Sequence, residues 1–516
     1  MNPRWRARLA GLLGAGIGVV GAVGLAQENY LLAILCSAVI LWVVAEWFGG
    51  PLPDAWLLAG ALFGYIVGNR GFAQLQLVGG VPLFPAEAVL LVAVPVLLVR
   101  LAQKRAHAFL HDPLNYAVAL WFLLGLARLP LDFPRHGFFA VRDFATVYYA
   151  AFFFIGQAFA RHEPSARLLR RSLTAACLAL PFLATAFRFF PDFFLGTLTL
   201  RGAPLIYFKD DLLATLFAAA FFWLWARGEL SGRRLWWVPA AACLLLIGTT
   251  TSPRAAMVAV AGVTAIWLLA RRWRIAAAQV ALVGVAGLGT ALVFSVGGED
   301  FRRTTAYSAY EHAVSIFDYE AKGRYVNRTS GDPGDNNRFR LVWWRAVVDE
   351  TLEENPVFGL GFGHDLAARF LADYGLVGAD DFTARSPHSI VLTILGRMGL
   401  AGLVGWLAIA WGMALMTRRV FRQGAADGRG LVSLAWVIWI SACFGVVLEG
   451  PMGAVVFWTV LGLANAAPSV SPAAAAESDI QTLTPASPAL LPSVRQTVSL
   501  SPASIAPPFT PPPARP

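Results

Sequence analysis

Ser386-Pro387-His388-Ser389-Ile390-Val391-Leu392-Thr393-Ile394-Leu395 closes a polar stretch, residues 298–387, and opens a new apolar run. The apolar run is long enough to cross a bilayer. The stretch before it is too polar to do so and must fold in water. The junction therefore marks a membrane–water boundary, with a histidine placed on it.

Outward from this junction, apolar runs begin at Leu9 and recur to about Ala464. At roughly twenty residues per span they predict about eleven to fourteen helices, with residues 55–68 and 452–464 the shortest. With 57% hydrophobic and only 14% charged residues, an ordinary soluble domain is excluded. The expected fold is all-α: a polytopic transmembrane helix bundle with a large, mainly helical loop. Its parts would be transmembrane helices over 1–297, the loop domain over 298–387, C-terminal transmembrane helices over 388–464 and a tail over 465–516. The tail is rich in Pro, Ala and Ser, buries too little apolar surface to fold, and is expected to be disordered.

The net charge of +10 comes largely from arginine clusters: Arg4/Arg6/Arg8, Arg100/Lys104/Arg105, Arg161/Arg167/Arg170/Arg171, Arg227/Arg233/Arg234, Arg271/Arg272/Arg274 and Arg418/Arg419/Arg422. These fall on alternate connections, so the positive-inside rule assigns them and both termini to the cytoplasm and the 298–387 loop to the far side, periplasmic in a Gram-negative cell and otherwise extracellular. Charge spread over short membrane-flanking loops argues against a nucleic-acid partner. Arg4–Arg8 and the following apolar run resemble a signal peptide, but another span follows at once, and an uncleaved first helix is expected. Cys36, Cys177, Cys243 and Cys443 all sit in apolar runs and read as small buried hydrophobes. No internal repeat of the transporter kind is visible.

Several residues could carry chemistry at the boundary. Serine favours the N-cap and proline the first helical position, so His388 is expected in the first turn of the helix. The electropositive helix start would keep its imidazole neutral, as a general base requires, and would attract an anion. A histidine that only caps the helix is the plain alternative. Ser252-Pro253-Arg254 opens a second span from the same side, and arginine grips phosphate bidentately. A snorkelling interfacial arginine is the alternative there. Within the loop, residues 337–355 have helical periodicity. Arg338, Arg345, Asp349 and Glu353 share a polar face, whereas Arg340 lies with Trp344, Val347 and Thr351, which makes it the best ligand candidate of the loop arginines. Arg201, Lys209, Asp210 and Asp211 form a charged group in an outer connection, and Glu449 ends a span on the same side. His107, His111 and Asp112 have metal-like spacing but lie in a short cytoplasmic loop. The acidic Asp318-Tyr319-Glu320 is a spacing easily met by chance. No metal and no cofactor is assigned.

With these residues in place, residues 245–465 resemble the O-antigen ligase and polymerase family of bacterial membrane glycosyltransferases. The resemblance is carried by Thr251-Ser252-Pro253-Arg254, by Arg340 four residues before Trp344, by Asn355-Pro356-Val357-Phe358-Gly359-Leu360-Gly361, and most specifically by His388-Ser389 followed after nine residues by Gly399-Leu400-Ala401-Gly402. Pro253 departs from the usual adjacent Ser-Arg pair. The resemblance implies a bacterial inner-membrane enzyme whose donor is a glycan on undecaprenyl diphosphate. Arg254 and Arg340 would bind the diphosphate, and His388 would deprotonate the acceptor hydroxyl in a single inverting displacement with an oxocarbenium-like transition state. Cationic stabilisation of the leaving group would make a metal unnecessary. Arg338, Arg201, Lys209 and Ser389 would be secondary contacts. A ligase with a lipid A–core acceptor is the leading reading. A polymerase of lipid-linked repeats or a protein O-oligosaccharyltransferase would use the same residues. A non-catalytic transporter would instead require charges buried near the bilayer midplane.

Overall fold

The computed structural model is an all-α bundle that describes residues 50–77, 83–296, 301–318, 333–373, 384–423 and 426–466, with scattered positions before residue 50 and between 320 and 326. The expectations for Arg4/Arg6/Arg8, for Tyr319 and for the tail beyond Ala466 lie outside the described residues.

Among the described residues, seven helices are long and apolar enough to cross a membrane: Pro85–Ala102, Pro113–His136, Phe138–Ala160, Glu163–Phe189, Asp210–Ser231, Trp273–Val293 and Ile390–Arg422. Four shorter apolar helices, Pro53–Val67, Arg234–Ile247, Arg254–Leu269 and Pro451–Ala466, accompany them. The two shortest expected spans are thus helices, each opened by a proline whose missing N–H costs nothing at that position. The helices Asp210–Ser231, Ala426–Ala442 and Pro451–Ala466 are apolar on nearly every face and are buried by their neighbours. By contrast Val280, Val283, Val285 and Leu288 of the 273–293 helix are exposed, as apolar side chains are where lipid is the solvent. Close helix contact uses small residues: Gly462 lies where a Cβ would strike the carbonyl of Phe153.

Among the described residues, ion pairs join members of the arginine-rich connections to neighbouring carboxylates. Arg227 pairs with Asp427 at 2.8 Å, Arg170 with Glu163 at 3.0 Å, Arg429 with Glu229 at 3.1 Å and Arg100 with Asp54 at 2.7 Å. The helices beginning at Asp210, Arg254 and Ile390 each run toward one of the arginine-rich connections.

The polar loop is mainly helical, with Thr305–Ser315, Pro333–Glu354 and Ala368–Asp373. Trp343, Ala346, Val347, Leu366, Ala367 and Phe370 form a small core of its own. The phase expected for the 333–354 helix is found. Arg338 and Arg345 are exposed, whereas Val347 and Thr351 are buried. All four cysteines are free.

Candidate active site at the membrane boundary

The long helix that follows His388 is broken. Ile390–Gln423 is interrupted at Gly399, with φ 62° and ψ −157°. A break in apolar surroundings orphans backbone groups, and these must find other partners. The Asn355–Gly361 segment supplies them. Leu360 and Gly361 donate their N–H groups to the carbonyls of Gly396 and Arg397 at 2.7 and 3.1 Å. Leu400 and Ala401 donate in turn to the carbonyls of Pro356 and Val357 at 2.9 and 3.0 Å. A Cβ on Gly399 would lie 2.5 Å from the nitrogen of Gly359, so the two backbones touch there. The Gly-rich loop and the G-x-x-G sequence are therefore two halves of one joint.

Buried carboxylates latch this joint to the rest of the bundle. Asp132 accepts from the N–H of Phe362 at 2.7 Å and from Arg128 Nε at 2.9 Å. Asp143 accepts from the N–H of Gly363 at 3.0 Å and pairs with the buried Arg397 at 3.0 Å. Sequence reasoning missed Arg128, Asp132, Asp143 and Arg397. The available signal was an ionisable residue within an apolar run, which in membrane segments marks a function or a partner.

His388 is not in the first helical turn, which corrects the sequence expectation. It has φ +53°, and the helix opens one residue later, where the Ser389 carbonyl accepts from Thr393 N–H at 2.9 Å. Tertiary contacts override the local N-cap preference: Ser386 donates its hydroxyl to Glu449 Oε2, and Trp344 Nε1 donates to the Pro387 carbonyl at 2.7 Å. The imidazole lies 5.9 Å from the Trp343 ring. Burial first, then the cations of Arg340 and Lys209, push it from the ordinary 6.5 down to about 4, with Asp211 pulling the other way. It is thus neutral across physiological pH.

Two cations, Arg340 and Lys209, act on this position, and a third, Arg254, lies near Arg340. Arg340 donates to the Phe444 carbonyl at 2.8 Å, and burial pulls its guanidinium below the ordinary value. Arg254 opens its helix as expected and donates to Asn337 Oδ1 at 2.6 Å. Asn337 is itself fixed by the carbonyls of Ser315 and Asp318 at 2.7 and 3.1 Å. Arg254 and Arg340 lie within repulsive range of each other, a pairing that an anion between them would relieve. Lys209, paired with Asp211 at 3.3 Å, completes the group. Asp210 accepts from the Thr251 hydroxyl, tying the two neighbouring helix starts together.

The other expected contacts fall elsewhere. Arg338 is exposed on the far face of the loop helix, and Ser389 is buried at the helix start. Arg201 sits at the tip of a tight hairpin, Thr199–Leu200 against Ala203–Pro204, and reaches the carbonyls of Gln76 and Leu77 at 3.5 and 3.4 Å. Asp112 serves as the N-cap of the Pro113–His136 helix, accepting from Asn115 N–H at 2.9 Å. An apolar cavity of about 850 Å³ lies along the helix that Arg254 opens, lined by Leu244, Met257, Val260, Val283, Tyr307 and Tyr310 among others.

Membrane-length helices define a polytopic membrane protein, and at one face converging helix starts bring cationic side chains near a neutral histidine. Residues 238–407 match the family model for O-antigen ligase, so this part of the chain is similar to that family. A search of curated proteins found no match.

Proposed function

We propose that this protein is an O-antigen ligase-like inverting glycosyltransferase of the bacterial inner membrane. It would move a glycan from undecaprenyl diphosphate to an acceptor hydroxyl, such as one on lipid A–core, at the periplasmic face. The observation that carries this reading is a neutral His388 with Arg340 and Lys209 acting on it, Arg254 near Arg340, and an apolar cavity along the Arg254 helix.

Charge builds up on the departing diphosphate as the glycosidic bond breaks. Arg254 and Arg340, already placed before substrate arrives, stabilise that charge more than the ground state. Lys209 adds a third positive charge. The 850 Å³ cavity suits part of the polyisoprenoid chain, so that the lipid and the diphosphate of one donor are held side by side. His388 accepts the proton of the acceptor hydroxyl as its oxygen attacks the anomeric carbon from the face opposite the diphosphate. One such displacement inverts the anomeric configuration.

Reconstitution tests this directly. Purified protein in vesicles is given lipid-linked glycan together with lipid A–core, and glycan on lipid A–core is the expected product. A longer lipid-linked chain would identify a polymerase instead, and no transfer to either acceptor would refute glycosyl transfer.

A further inference from the structure

A second polar site lies beside the His388 segment and shares no residue with the Arg254–Arg340–Lys209 group. It is a cavity of about 260 Å³ lined by Arg142, Asp143, Arg385, Ser386, Arg397 and Glu449. At about 30 Å³ per water it holds several waters, or one charged substituent with part of a sugar ring.

The hydrogen-bonding capacity left in this cavity is one-sided. Every carboxylate oxygen already accepts a bond. Asp143 Oδ1 takes Arg142 Nε at 3.2 Å, and its Oδ2 takes the Gly363 N–H and Arg397 Nη2, both at 3.0 Å. Glu449 Oε1 takes the Thr393 hydroxyl at 2.8 Å, and Oε2 takes that of Ser386. The guanidinium groups are not so fully used. Arg397 is only 4% exposed, yet its Nε has no partner, and Arg385 Nε is likewise buried without one. Arg142 and Arg385 both stand over the Phe139 ring, at 5.2 and 4.5 Å, which holds two like charges side by side. Asp365 pairs with Arg385 from outside the cavity at 3.5 Å, and Arg385 also donates to the Gly363 carbonyl at 2.8 Å, yet three arginines facing two satisfied carboxylates leave the hollow rich in unused donors. Such a hollow suits a group that only accepts hydrogen bonds.

We propose that this cavity is an anion subsite that receives a phosphate or carboxylate substituent of the acceptor glycan. The inference rests on the glycosyl-transfer reading above. The donor's diphosphate is accounted for by the separate arginine pair, so the anion reaching this second site belongs to the molecule that approaches His388 with a hydroxyl. Ser386, two residues before His388, lines the cavity. An acceptor fastened there would present its hydroxyl to the base in a restricted set of poses, which raises the effective concentration of the attacking oxygen.

Arg142 and Arg385, with side chains 47% and 25% exposed, are the positions to vary, because the deeply buried Arg397 also braces the broken helix. In the reconstituted assay, Arg142→Gln and Arg385→Gln are each expected to raise the acceptor KM about tenfold, leaving kcat and the donor KM within about twofold. Arg142→Lys should recover most of the loss, as a merely structural role would not predict. Dephosphorylated and carboxyl-reduced acceptors, tried separately on the unmodified protein, identify the anion as the one whose removal reproduces the rise. An unchanged acceptor KM in both Gln variants, or a rise in donor KM instead, overturns the proposal. If no acceptor is glycosylated at all, the parent reading fails and inorganic phosphate becomes the probe. Phosphate binding that persists in Arg254→Gln/Arg340→Gln and is lost on adding Arg142→Gln supports the subsite. No binding in that background overturns it.

Discussion

Trp344 donates its indole N–H to the carbonyl of Pro387 at 2.7 Å, one residue before His388. Arg340 lies one turn earlier on the same face of the same loop helix and bonds the Phe444 carbonyl. The cation proposed to hold the donor diphosphate and the clamp on the proposed base are therefore parts of one helix. A helix start alone would have held His388 less firmly, since its backbone sits at φ +53°, outside the helix.

Trp344→Phe keeps an aromatic ring but removes the N–H donor together with part of the indole. With the Pro387 carbonyl freed, the imidazole should wander from its in-line position, and kcat should fall about tenfold. The donor KM should stay close to its original value, because Arg254 and Arg340 are untouched. Steady-state kinetics in vesicles would separate the two constants, and an unchanged kcat would remove Trp344 from the positioning of His388.

Replacing the base itself should cost more. His388→Ala should lower transfer by about a hundredfold or more, the usual contribution of a positioned general base, while the protein still inserts in the membrane. Product analysis together with membrane fractionation checks both halves. Normal transfer by this variant would end the assignment of His388 as base.

Where sequence periodicity was strong, local structure could be read from it. The 3.6-residue pattern of 337–355 separates exposed Arg338 and Arg345 from buried Val347 and Thr351, and the Ser252-Pro253-Arg254 pattern starts its helix at Arg254. The Ser386-Pro387-His388 pattern misleads because its local preference is outweighed by contacts with Trp344 and Glu449, which lie 43 and 63 positions away in the chain. Asp132 and Asp143 escaped notice for a related reason. Their partners are backbone N–H groups of Phe362 and Gly363, more than two hundred residues away, and no spacing rule connects a carboxylate to a backbone amide at that distance.

The loop helix yields a ranking of its two neighbouring arginines. Arg340→Ala should reduce kcat/KM for the donor at least about tenfold more than Arg338→Ala, since a charge-assisted contact to phosphate is worth roughly 1.5–3 kcal/mol and Arg338 points to solvent. Parallel kinetics on the two variants give the answer. The reverse order would mean that the active face of this helix is the solvent-facing one.

The pH dependence follows from the same charges. His388 acts as a base only when unprotonated, so activity should fall as pH drops through its pKa, displaced to about 4 from the ordinary 6.5. The acid limb of kcat/KM for the free enzyme should therefore lie well below that of an ordinary histidine. Arg340→Gln removes a cation that depresses this pKa, and the limb should move to higher pH. The residual activity of that variant, followed from pH 4 to 8, is the measurement, and a limb that stays in place or moves down would show that Arg340 does not tune the base.

The last prediction concerns the break in the helix after His388. Gly399→Ala places a methyl group at a φ of +62°, where side chains are strained. It also places that methyl 2.5 Å from the Gly359 nitrogen and from the Val357 carbonyl. Neither obstacle is a flexible side-chain tip, so the loop backbone must move and the four bonds closing the joint must weaken together. The strain alone is worth about 1–3 kcal/mol, and the separation of the backbones adds to it. Gly284→Ala is the matched control, because a Cβ there meets nothing within 4 Å in an α-helix that favours alanine. Thermal unfolding of the two variants in detergent should show Gly399→Ala markedly less stable and Gly284→Ala unchanged or slightly more so. Activity should follow the same order, because the joint also positions the 390–398 half-helix that His388 precedes. Equal stability for both variants would mean that the G-x-x-G sequence is not retained for backbone contact, and its role would have to be sought in substrate binding.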